Sequence, residues 1–202
     1  MTTTGENPAA QAERPILHGG DLAAWTGGAW EGGVPGEIRG VTQNGKQMIP
    51  GGLYVALKGE RHDGHAFVLQ AQQNGAAAAM VRGDWQRPGG VSLPLLRVPD
   101  TRSALCLAAA GRSRSLRTLI VGITGSVGKT TTKELAAAVF SGAGAVHATA
   151  GNLNNDIGLP LTLLAMPETA ASGMIEAGSN HPGEIAYLCR ILKPDAAIVT
   201  AV

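Results

Sequence analysis

Residues 121–140 read VGITGSVGKTTTKELAAAVF, and this stretch decides how the second half of the chain folds. It begins with apolar residues, continues with glycines and hydroxyl residues, and ends in good helix formers. That order predicts a strand, a tight loop and a helix. In such a loop the backbone N–H groups point at an anion, and the helix that follows presents its N-terminus to the same charge. The stretch therefore predicts a phosphate-binding loop.

The loop departs at one position from the common nucleotide-binding pattern, in which four residues separate a first glycine from Gly-Lys-Ser/Thr. The position of that first glycine is occupied by Ile123. The other expected residues are in place: Gly125, Gly128, Lys129 and Thr130. We predict that Lys129 reaches the outer phosphates and that the Thr130 hydroxyl ligates Mg²⁺. The alternative is a glycine-rich turn that only begins a helix.

Apolar runs alternate with helical patterns on both sides of this stretch. The segments typical of strands are GEIRGVTQ, GGLYVALKG, AAAAMV, PLLRV, RTLIVGITG, AVHAT, GMIEAG and AAIVTAV. Helical patterns lie between them, among them AFVLQAQQNG, TRSALCLAAAGRSR and GEIAYLCRIL. Strands that alternate with helices of this length predict an α/β fold, with mostly parallel sheets whose faces are covered by helices.

A polar, arginine-bearing stretch from Gly111 to Arg117 interrupts the pattern, and we place a domain boundary near residue 113. We predict a disordered tail over residues 1–15, a small α/β domain over 16–113 and a doubly wound domain over 114–202. The last apolar strand ends the chain, although a parallel strand normally continues into a crossover helix. We therefore expect the second domain to be truncated.

The composition, 44% hydrophobic and 15% charged over 202 residues, is typical of a globular protein. A net charge of +1 gives no electrostatic reason to expect nucleic acid or an anionic membrane as a partner. The N-terminus lacks the apolar core of a signal peptide, and no apolar run approaches the roughly 20 residues of a membrane span. We expect a cytoplasmic protein. The two cysteines, Cys106 and Cys189, lie in apolar helical patterns, and we predict that both are buried free thiols.

The segment GMIEAGSNHPGEI places Glu176 at the end of a predicted strand and His181 in the loop that follows. In an open α/β sheet, ligands bind beyond the carboxyl ends of the strands. Glu176 and His181 are therefore predicted to face the same crevice as Lys129. A carboxylate and an imidazole there can hold Mg²⁺ around a triphosphate.

Two further polar segments leave alternatives open. In TAGNLNNDIGLP, Asn154 and Asn155 precede a helix, where they either cap it or form a polar rim that orients a substrate. In RHDGH, His62 and His65 suggest metal ligands, but no third ligand is nearby in the sequence. We interpret RHDGH as the entry of a loop into a helix.

Three motifs, in this order, resemble the Mur ligase family: TGSVGKTTTKE, TAGNLNNDIGLPLTLL and IEAGSNHPGEI. A shortened loop, TG[ST]xGK[TS], is that family's form and accounts for Ile123. The earlier segment PGGLYVALKGERHDGHAF resembles the family's N-terminal uridine-binding domain. The resemblance covers nearly all of the chain from about Leu17 onward. Its second and third motifs favour the branch that ligates D-alanyl-D-alanine to UDP-N-acetylmuramoyl-tripeptide in peptidoglycan synthesis.

The resemblance implies an ATP-dependent amide ligation through an acyl phosphate, in a protein that is monomeric at full length. It implies that the loop residues Gly125, Ser126, Val127, Gly128, Lys129, Thr130 and Thr131 hold the phosphates of ATP. Lys129 would stabilise the transferring γ-phosphoryl group. Thr130 and Glu176 would ligate one Mg²⁺ and His181 a second. Asn154 and Asn155 would line the same site.

The chain departs from the family pattern in the N-terminal domain. The family usually carries Asp-Ser/Thr-Arg where this chain has Asn44, Gly45 and Lys46, the candidate residues for contact with UDP. The hydroxyl is absent and a forked guanidinium is replaced by a point charge, which weakens the basis for UDP recognition. The family's carbamylated lysine and C-terminal domain lie beyond residue 202.

Three hypotheses about function follow. The first, which we favour, is an enzyme, the N-terminal part of a Mur-type ligase that adds D-alanyl-D-alanine, or of another Mur-type ligase. We expect these 202 residues to be incomplete for catalysis and inactive alone. The second is a fragment that binds UDP-sugar or nucleotide without ligation. The third is an unrelated kinase or switch with a phosphate-binding loop, which has no need of the GNLNNDIG and GSNHPGEI segments.

Overall fold

The computed structural model describes residues 15–201, which form two β-sheets joined by one long helix. The tail predicted for residues 1–15 lies outside the described residues except for Pro15. We call residues 15–98, with the first sheet, the first unit, and residues 119–201, with the second sheet, the second unit. Between residues 15 and 201, no helix combines the length and the hydropathy needed to cross a membrane.

The first sheet has five strands in the order β1-β5-β4-β3-β2. Their bounds are β1 (Ala29–Glu31), β2 (Val41–Thr42), β3 (Leu53–Val55), β4 (Ala78–Arg82) and β5 (Leu95–Val98). Strands β2 to β5 are parallel, as predicted, but β1 pairs antiparallel with β5. The sequence did not predict β1, because three residues are too short to show an alternating pattern. The sheet is therefore mixed rather than wholly parallel.

The helices of the first unit are α1 (Gly19–Thr26) and α2 (Val68–Gln73), and a 3₁₀ turn covers Gly64–Phe67 before α2. The side chain of Asp63 accepts a hydrogen bond from the His65 N–H and caps this turn. The His65 ring bonds to Asp63 through Nδ1 and accepts the Arg82 N–H at Nε2, at 2.6 and 2.9 Å. RHDGH is therefore a helix entry, as predicted. Over residues 15–201 no three His, Cys, Asp or Glu residues are grouped to hold a metal.

The second sheet has four parallel strands in the order β7-β8-β6-β9. Its elements are β6 (Leu119–Thr124), α4 (Lys129–Phe140), β7 (Val146–Ala148), α5 (Gly158–Leu164), β8 (Ser172–Glu176), α6 (Glu184–Leu192) and β9 (Ala196–Val199). Ala137 and Phe140 of α4 pack on one face of this sheet, against Ile123. Helices α5 and α6 cover the other face. Helices on both faces confirm the doubly wound arrangement.

Helix α3 (Thr101–Ser115) connects the two units and corrects the predicted polar break. The helix continues through Gly111 and ends at Ser115, so the boundary near residue 113 lies inside it. Arg112 is only 4% exposed and donates hydrogen bonds to the Glu168 carboxylate and the Met166 carbonyl, at 3.0 and 2.9 Å. The arginines do not interrupt the helix here, because the apolar stem of an arginine can pack in a core while its guanidinium reaches acceptors.

One continuous hydrophobic cluster runs through both units. It contains Leu22 and Leu53 of the first unit, Leu105 of α3, and Leu163 and Ile191 of the second unit. The two units are therefore packed together through α3, since its side chains belong to the core on both sides.

The two cysteines differ in their surroundings. Cys106, on α3, is 5% exposed, and burial raises the pKa of its thiol. Cys189 is free and exposed, so the prediction that it is buried is wrong. Its neighbours Leu188 and Ile191 form the buried face of α6, which turns Cys189 toward solvent.

Candidate functional site

The predicted phosphate loop follows β6 and leads directly into α4. Gly125 has φ +140° and Gly128 has φ +88°, conformations that favour glycine. A Cβ atom on Gly125 would lie 2.0 Å from the Thr200 hydroxyl, so a side chain has no room there. Gly128 is the N-cap of α4, and no side chain bonds to the first N–H groups of the helix from this position. The first turn of α4 therefore faces outward with its backbone N–H groups available to an anion.

One loop amide is already engaged, because the Ser126 N–H donates to the Ala201 carbonyl at 2.7 Å. Lys129 folds back over the loop, and its Nζ donates to the Gly125 carbonyl at 2.7 Å. A cavity of about 430 Å³ lies beside these groups. The residues that line it include Val127, Gly128, Lys129, Thr130, Thr131, Asn154 and Glu176. The structure thus brings most of the predicted phosphate-binding residues to one cavity.

Glu176 ends β8 and lies beside the phosphate loop because β8 pairs with β6, where Ile123 is its partner. Its side chain is 2% exposed. One carboxylate oxygen accepts the Thr130 hydroxyl at 3.1 Å, and the other accepts the Asn154 amide at 3.0 Å. Among residues 15–201 Glu176 makes no salt bridge.

A buried carboxylate held only by neutral donors is a costly arrangement unless a cation joins it. The Thr130 hydroxyl and the Glu176 carboxylate are oxygen ligands of the kind that Mg²⁺ prefers, and they already lie in contact. These two residues, which both line the cavity, therefore fit a Mg²⁺ ion, which would supply positive charge to a bound phosphate.

His181 is exposed, in the loop between β8 and α6. Its backbone N–H donates to the Glu184 carboxylate at 3.1 Å, and the Asn180 N–H donates there at 2.7 Å. These two bonds lower the pKa of Glu184. Within the described part of the chain, no hydrogen bond joins the His181 ring to Thr130 or Glu176. The structure does not bring His181 to the Thr130–Glu176 pair.

The two candidate asparagines have different roles. Asn155 accepts hydrogen bonds from the Ile157 and Gly158 N–H groups, at 3.1 and 2.8 Å, and so caps the start of α5. Asn154 instead reaches Glu176. Both line a cleft of about 900 Å³ that shares Lys129 and Asn154 with the phosphate cavity. The capping alternative therefore holds for Asn155, and the orientation of a substrate by either asparagine stays a prediction.

Sequence reasoning missed several residues of this site. Arg102 of α3 forms an ion pair with Asp156, 2.6 Å between Nε and Oδ2, at the wall of the large cleft. Thr149 and Lys133 are buried behind Glu176. A signal for Lys133 was present, because it follows Lys129 by four residues and therefore lies on the same side of α4.

The predicted UDP-contacting residues lie in the first unit, beside a different cavity from that of the phosphate loop. The Asn44 side chain accepts the Lys46 N–H at 3.1 Å, and the Gly45 carbonyl accepts the Asn74 amide at 2.7 Å. This loop borders a cavity of about 310 Å³ that is also lined by the rings of Tyr54 and Phe67. The loop is thus fixed at a shallow cavity with aromatic walls.

Two family models match the chain. The model described as "Mur ligase family, catalytic domain" matches residues 37–111, and "Mur ligase middle domain" matches residues 123–202. Relatives named UDP-N-acetylmuramoyl-tripeptide–D-alanyl-D-alanine ligase are similar in sequence. The Escherichia coli protein is 44% identical over 81% of this chain and 37% of its own length. The Bacillus subtilis protein is 43% identical over 81% and 35%.

Solved structures agree. An Acinetobacter baumannii D-alanyl-D-alanyl ligase superposes with a TM-score of 0.84 at 34% identity, over 94% of this chain and 42% of that one. The Thermotoga maritima MurF ligase in complex with ADP has a TM-score of 0.71 at 33% identity, over 82% and 38%. This chain spans little more than a third of the length of the curated relatives it matches.

The matched regions cover strands β2 to β5 and β7 to β9, the phosphate loop and Glu176, in the order that the motifs predicted. The chain therefore belongs to the Mur ligase family and carries that family's N-terminal and middle domains.

Proposed function

We propose that the protein is an ATP-dependent ligase that joins D-alanyl-D-alanine to UDP-N-acetylmuramoyl-tripeptide, a step of peptidoglycan synthesis. The names of its relatives support the choice of substrates. The observation that carries the proposal is the buried Glu176 carboxylate, bonded to the Thr130 hydroxyl beside the phosphate loop. That arrangement suits a metal-bound triphosphate, which a loop that only begins a helix does not need.

The chemistry requires an activated carboxylate, because a carboxylate ion is a poor electrophile. An oxygen of the tripeptide's terminal carboxylate attacks the γ-phosphorus of ATP, and ADP leaves. The amine of D-alanyl-D-alanine then attacks the acyl phosphate, loses a proton, and inorganic phosphate leaves as the amide forms. The enzyme's task is to hold two anionic substrates together and to stabilise the charge that develops.

The residues of the second unit divide this task. Lys129 exchanges its bond to the Gly125 carbonyl for the transferring γ-phosphoryl group. The N–H groups at the start of α4 bind the remaining phosphate oxygens. Thr130 and Glu176 hold Mg²⁺, which when bound neutralises charge between the substrates. Asn154 orients the Glu176 carboxylate, and Asn155 fixes the loop at the start of α5. His181 as a ligand of a second Mg²⁺ stays a prediction.

The UDP group belongs in the first unit, at the loop of Asn44, Gly45 and Lys46. The partly exposed ring of Phe67 offers a flat surface to a base, and the exposed Lys46 ammonium offers a charge to a diphosphate. We further propose that the reaction takes place in the cytoplasm, where ATP and nucleotide-linked precursors are made. We propose that the protein acts as a monomer.

The test is phosphate release from ATP, measured with each of the two substrates present or absent. If these 202 residues suffice for ligation, release needs both substrates and disappears in Lys129→Ala. Lys58→Ala, at an exposed position of the first unit, is the matched control and should retain release. Release without the substrates would instead indicate a generic phosphate-loop hydrolase. No release from the wild-type chain would contradict ligase activity in these 202 residues and favour a binding function.

A further inference from the structure

Lys133 is a buried lysine that the proposed chemistry does not use. It lies on α4 and is 3% exposed. Its Nζ donates a hydrogen bond to the Thr149 carbonyl at 2.7 Å. Its other partner is the carboxylate of Glu134, at 2.8 Å, whose side chain is 68% exposed. Burying an ammonium group is costly, so a lysine at this position calls for an explanation.

Thr149 connects Lys133 to the candidate metal ligand. It follows β7 and is 1% exposed. Its N–H donates to the Met174 carbonyl at 3.1 Å, and its hydroxyl accepts the Glu176 N–H at 2.9 Å. Thr149 is therefore bonded to β8 on one side and to Lys133 on the other. Thr149 therefore adds a hydrogen bond to the backbone of Glu176, which also pairs with Ile123 of β6.

We propose that Lys133 is a positioning residue for Mg²⁺–nucleotide binding, acting through Thr149 on the backbone, and so on the carboxylate, of Glu176. The inference rests on the proposed function, because it assumes that Glu176 holds Mg²⁺. Lys133 fixes the Thr149 carbonyl, the Thr149 hydroxyl fixes the Glu176 N–H, and Thr130 and Asn154 then meet the carboxylate at hydrogen-bonding distance. Groups that hold a metal ligand in this way commonly change metal affinity by about 10- to 100-fold.

A purely local role for Lys133 predicts something different. If Lys133 served only its ion pair with Glu134, removal of either partner would have the same effect. An ion pair with so exposed a partner contributes little, about 0–1 kcal/mol. The two roles can therefore be separated by comparing Lys133→Met, which keeps the length of the side chain, with Glu134→Gln, which removes the exposed partner.

The experiment measures the affinity of the chain for ADP by calorimetry, with and without Mg²⁺. Wild type should bind more tightly with Mg²⁺. In Lys133→Met, the increase in ADP affinity that Mg²⁺ causes should be about tenfold smaller than in wild type. The affinity for ADP without Mg²⁺ should change by less than about twofold. Glu134→Gln should behave as wild type. The double variant Lys133→Met/Glu176→Gln should bind no more weakly than Glu176→Gln alone, because both changes act on the same group.

A second pair of variants guards against misfolding of Lys133→Met. Thr149→Val removes the hydroxyl that Glu176 uses, whereas Thr149→Ser keeps it. Thr149→Val should lose the Mg²⁺-dependent gain and Thr149→Ser should retain it. Amide hydrogen exchange of the protein without ligand gives a readout free of nucleotide. Exchange at the Glu176 N–H should be faster in Thr149→Val and Lys133→Met, and unchanged in Glu134→Gln.

The outcomes distinguish the inference from the proposed function. If wild type shows no Mg²⁺-dependent gain, the assignment of Thr130 and Glu176 as ligands fails, and the inference fails with it. If wild type shows the gain and a folded Lys133→Met retains it, only the inference is overturned. An equal loss in Lys133→Met and Glu134→Gln also overturns it, in favour of the ion pair.

Discussion

The two sheets of this chain share an architecture but differ in the polar groups that they bury. In the first unit the buried polar side chains include the neutral hydroxyl of Thr26 and the ring of His65, and each bonds to nearby backbone. In the second unit the buried polar groups include the ammonium of Lys133 and the carboxylate of Glu176. Glu176 is the last residue of β8, and Lys133 is linked to it through Thr149.

This difference separates groups that complete a fold from groups that serve a ligand. A neutral hydroxyl that meets a backbone acceptor is cheap to bury. A buried charge is costly, and it is retained where a counter-charge or a ligand offsets the cost. The second unit therefore has its charges next to the phosphate cavity. The proposed UDP site of the first unit uses a surface loop and the partly exposed ring of Phe67 instead.

The largest expected effect tests whether the two units fold as one. Leu105 on α3 is fully buried in the cluster that both units share. We expect Leu105→Ala to lower the free energy of unfolding by about 2–5 kcal/mol. Leu107→Ala, on the same helix but 47% exposed, should cost less than about 1 kcal/mol.

The measurement is urea unfolding followed by two probes. The three tryptophans, Trp25, Trp30 and Trp85, all lie in the first unit, so their fluorescence reports on that unit. Far-ultraviolet circular dichroism reports on both units. The two curves should coincide in wild type and shift together in Leu105→Ala. Separate transitions would show that α3 does not join the units into one cooperative fold.

A second prediction contrasts one lysine from each unit. Lys129→Ala should weaken ADP binding by about 10- to 100-fold, because a charged hydrogen bond to phosphate contributes about 1.5–3 kcal/mol. It should leave UDP binding unchanged. Lys46→Ala should do the reverse, with a smaller loss because Lys46 is exposed. Calorimetry with each nucleotide checks both variants, and equal losses for both ligands would contradict two separate sites.

The smallest expected effect concerns His147 of β7, whose ring bonds to the Thr162 carbonyl at 2.9 Å. Burial lowers the pKa of His147 below its ordinary value of 6.5, because the charged form is disfavoured in the fold. Below pH 6.5 the unfolded chain takes up a proton that the folded chain resists, so stability falls as the pH falls.

Melting temperatures measured from about pH 8 to about pH 5 check this prediction. The decrease on acidification should be smaller in His147→Gln, which has no proton to take up. His62→Gln, at an exposed position of the first unit, is the control. A wild-type protein whose decrease matches that of His147→Gln would show that His147 contributes nothing to the pH dependence.

The sequence predicted the elements that have a strong local signal. The phosphate loop was predictable because glycines in fixed positions follow the apolar strand β6. Glu176 was predictable because it ends β8, another strongly apolar strand. Strand β1 was missed, since it forms only by pairing with β5. Arg112 was interpreted as part of a polar break because its acceptors, Glu168 and Met166, are more than 50 residues away.

The candidate site shows the same limit. Asn154 and Asn155 have the same side chain and adjacent positions, so sequence alone could not decide which caps α5 and which reaches Glu176. In the sequence, the spacing of four residues from Lys129 places Lys133 on the same side of α4 but does not show what it contacts. Only the packing of α4 on the sheet reveals that it is buried and bonded to Thr149.

We propose that each unit carries its own nucleotide site, and the amide chemical shifts of this chain can distinguish the two sites. Addition of ADP with Mg²⁺ should shift the signals of Gly125, Gly128 and Glu176. Addition of UDP should shift those of Gly45 and Lys46 and leave the phosphate loop unchanged. Shifts from both ligands at the same residues, or ADP shifts confined to the first unit, would contradict the account.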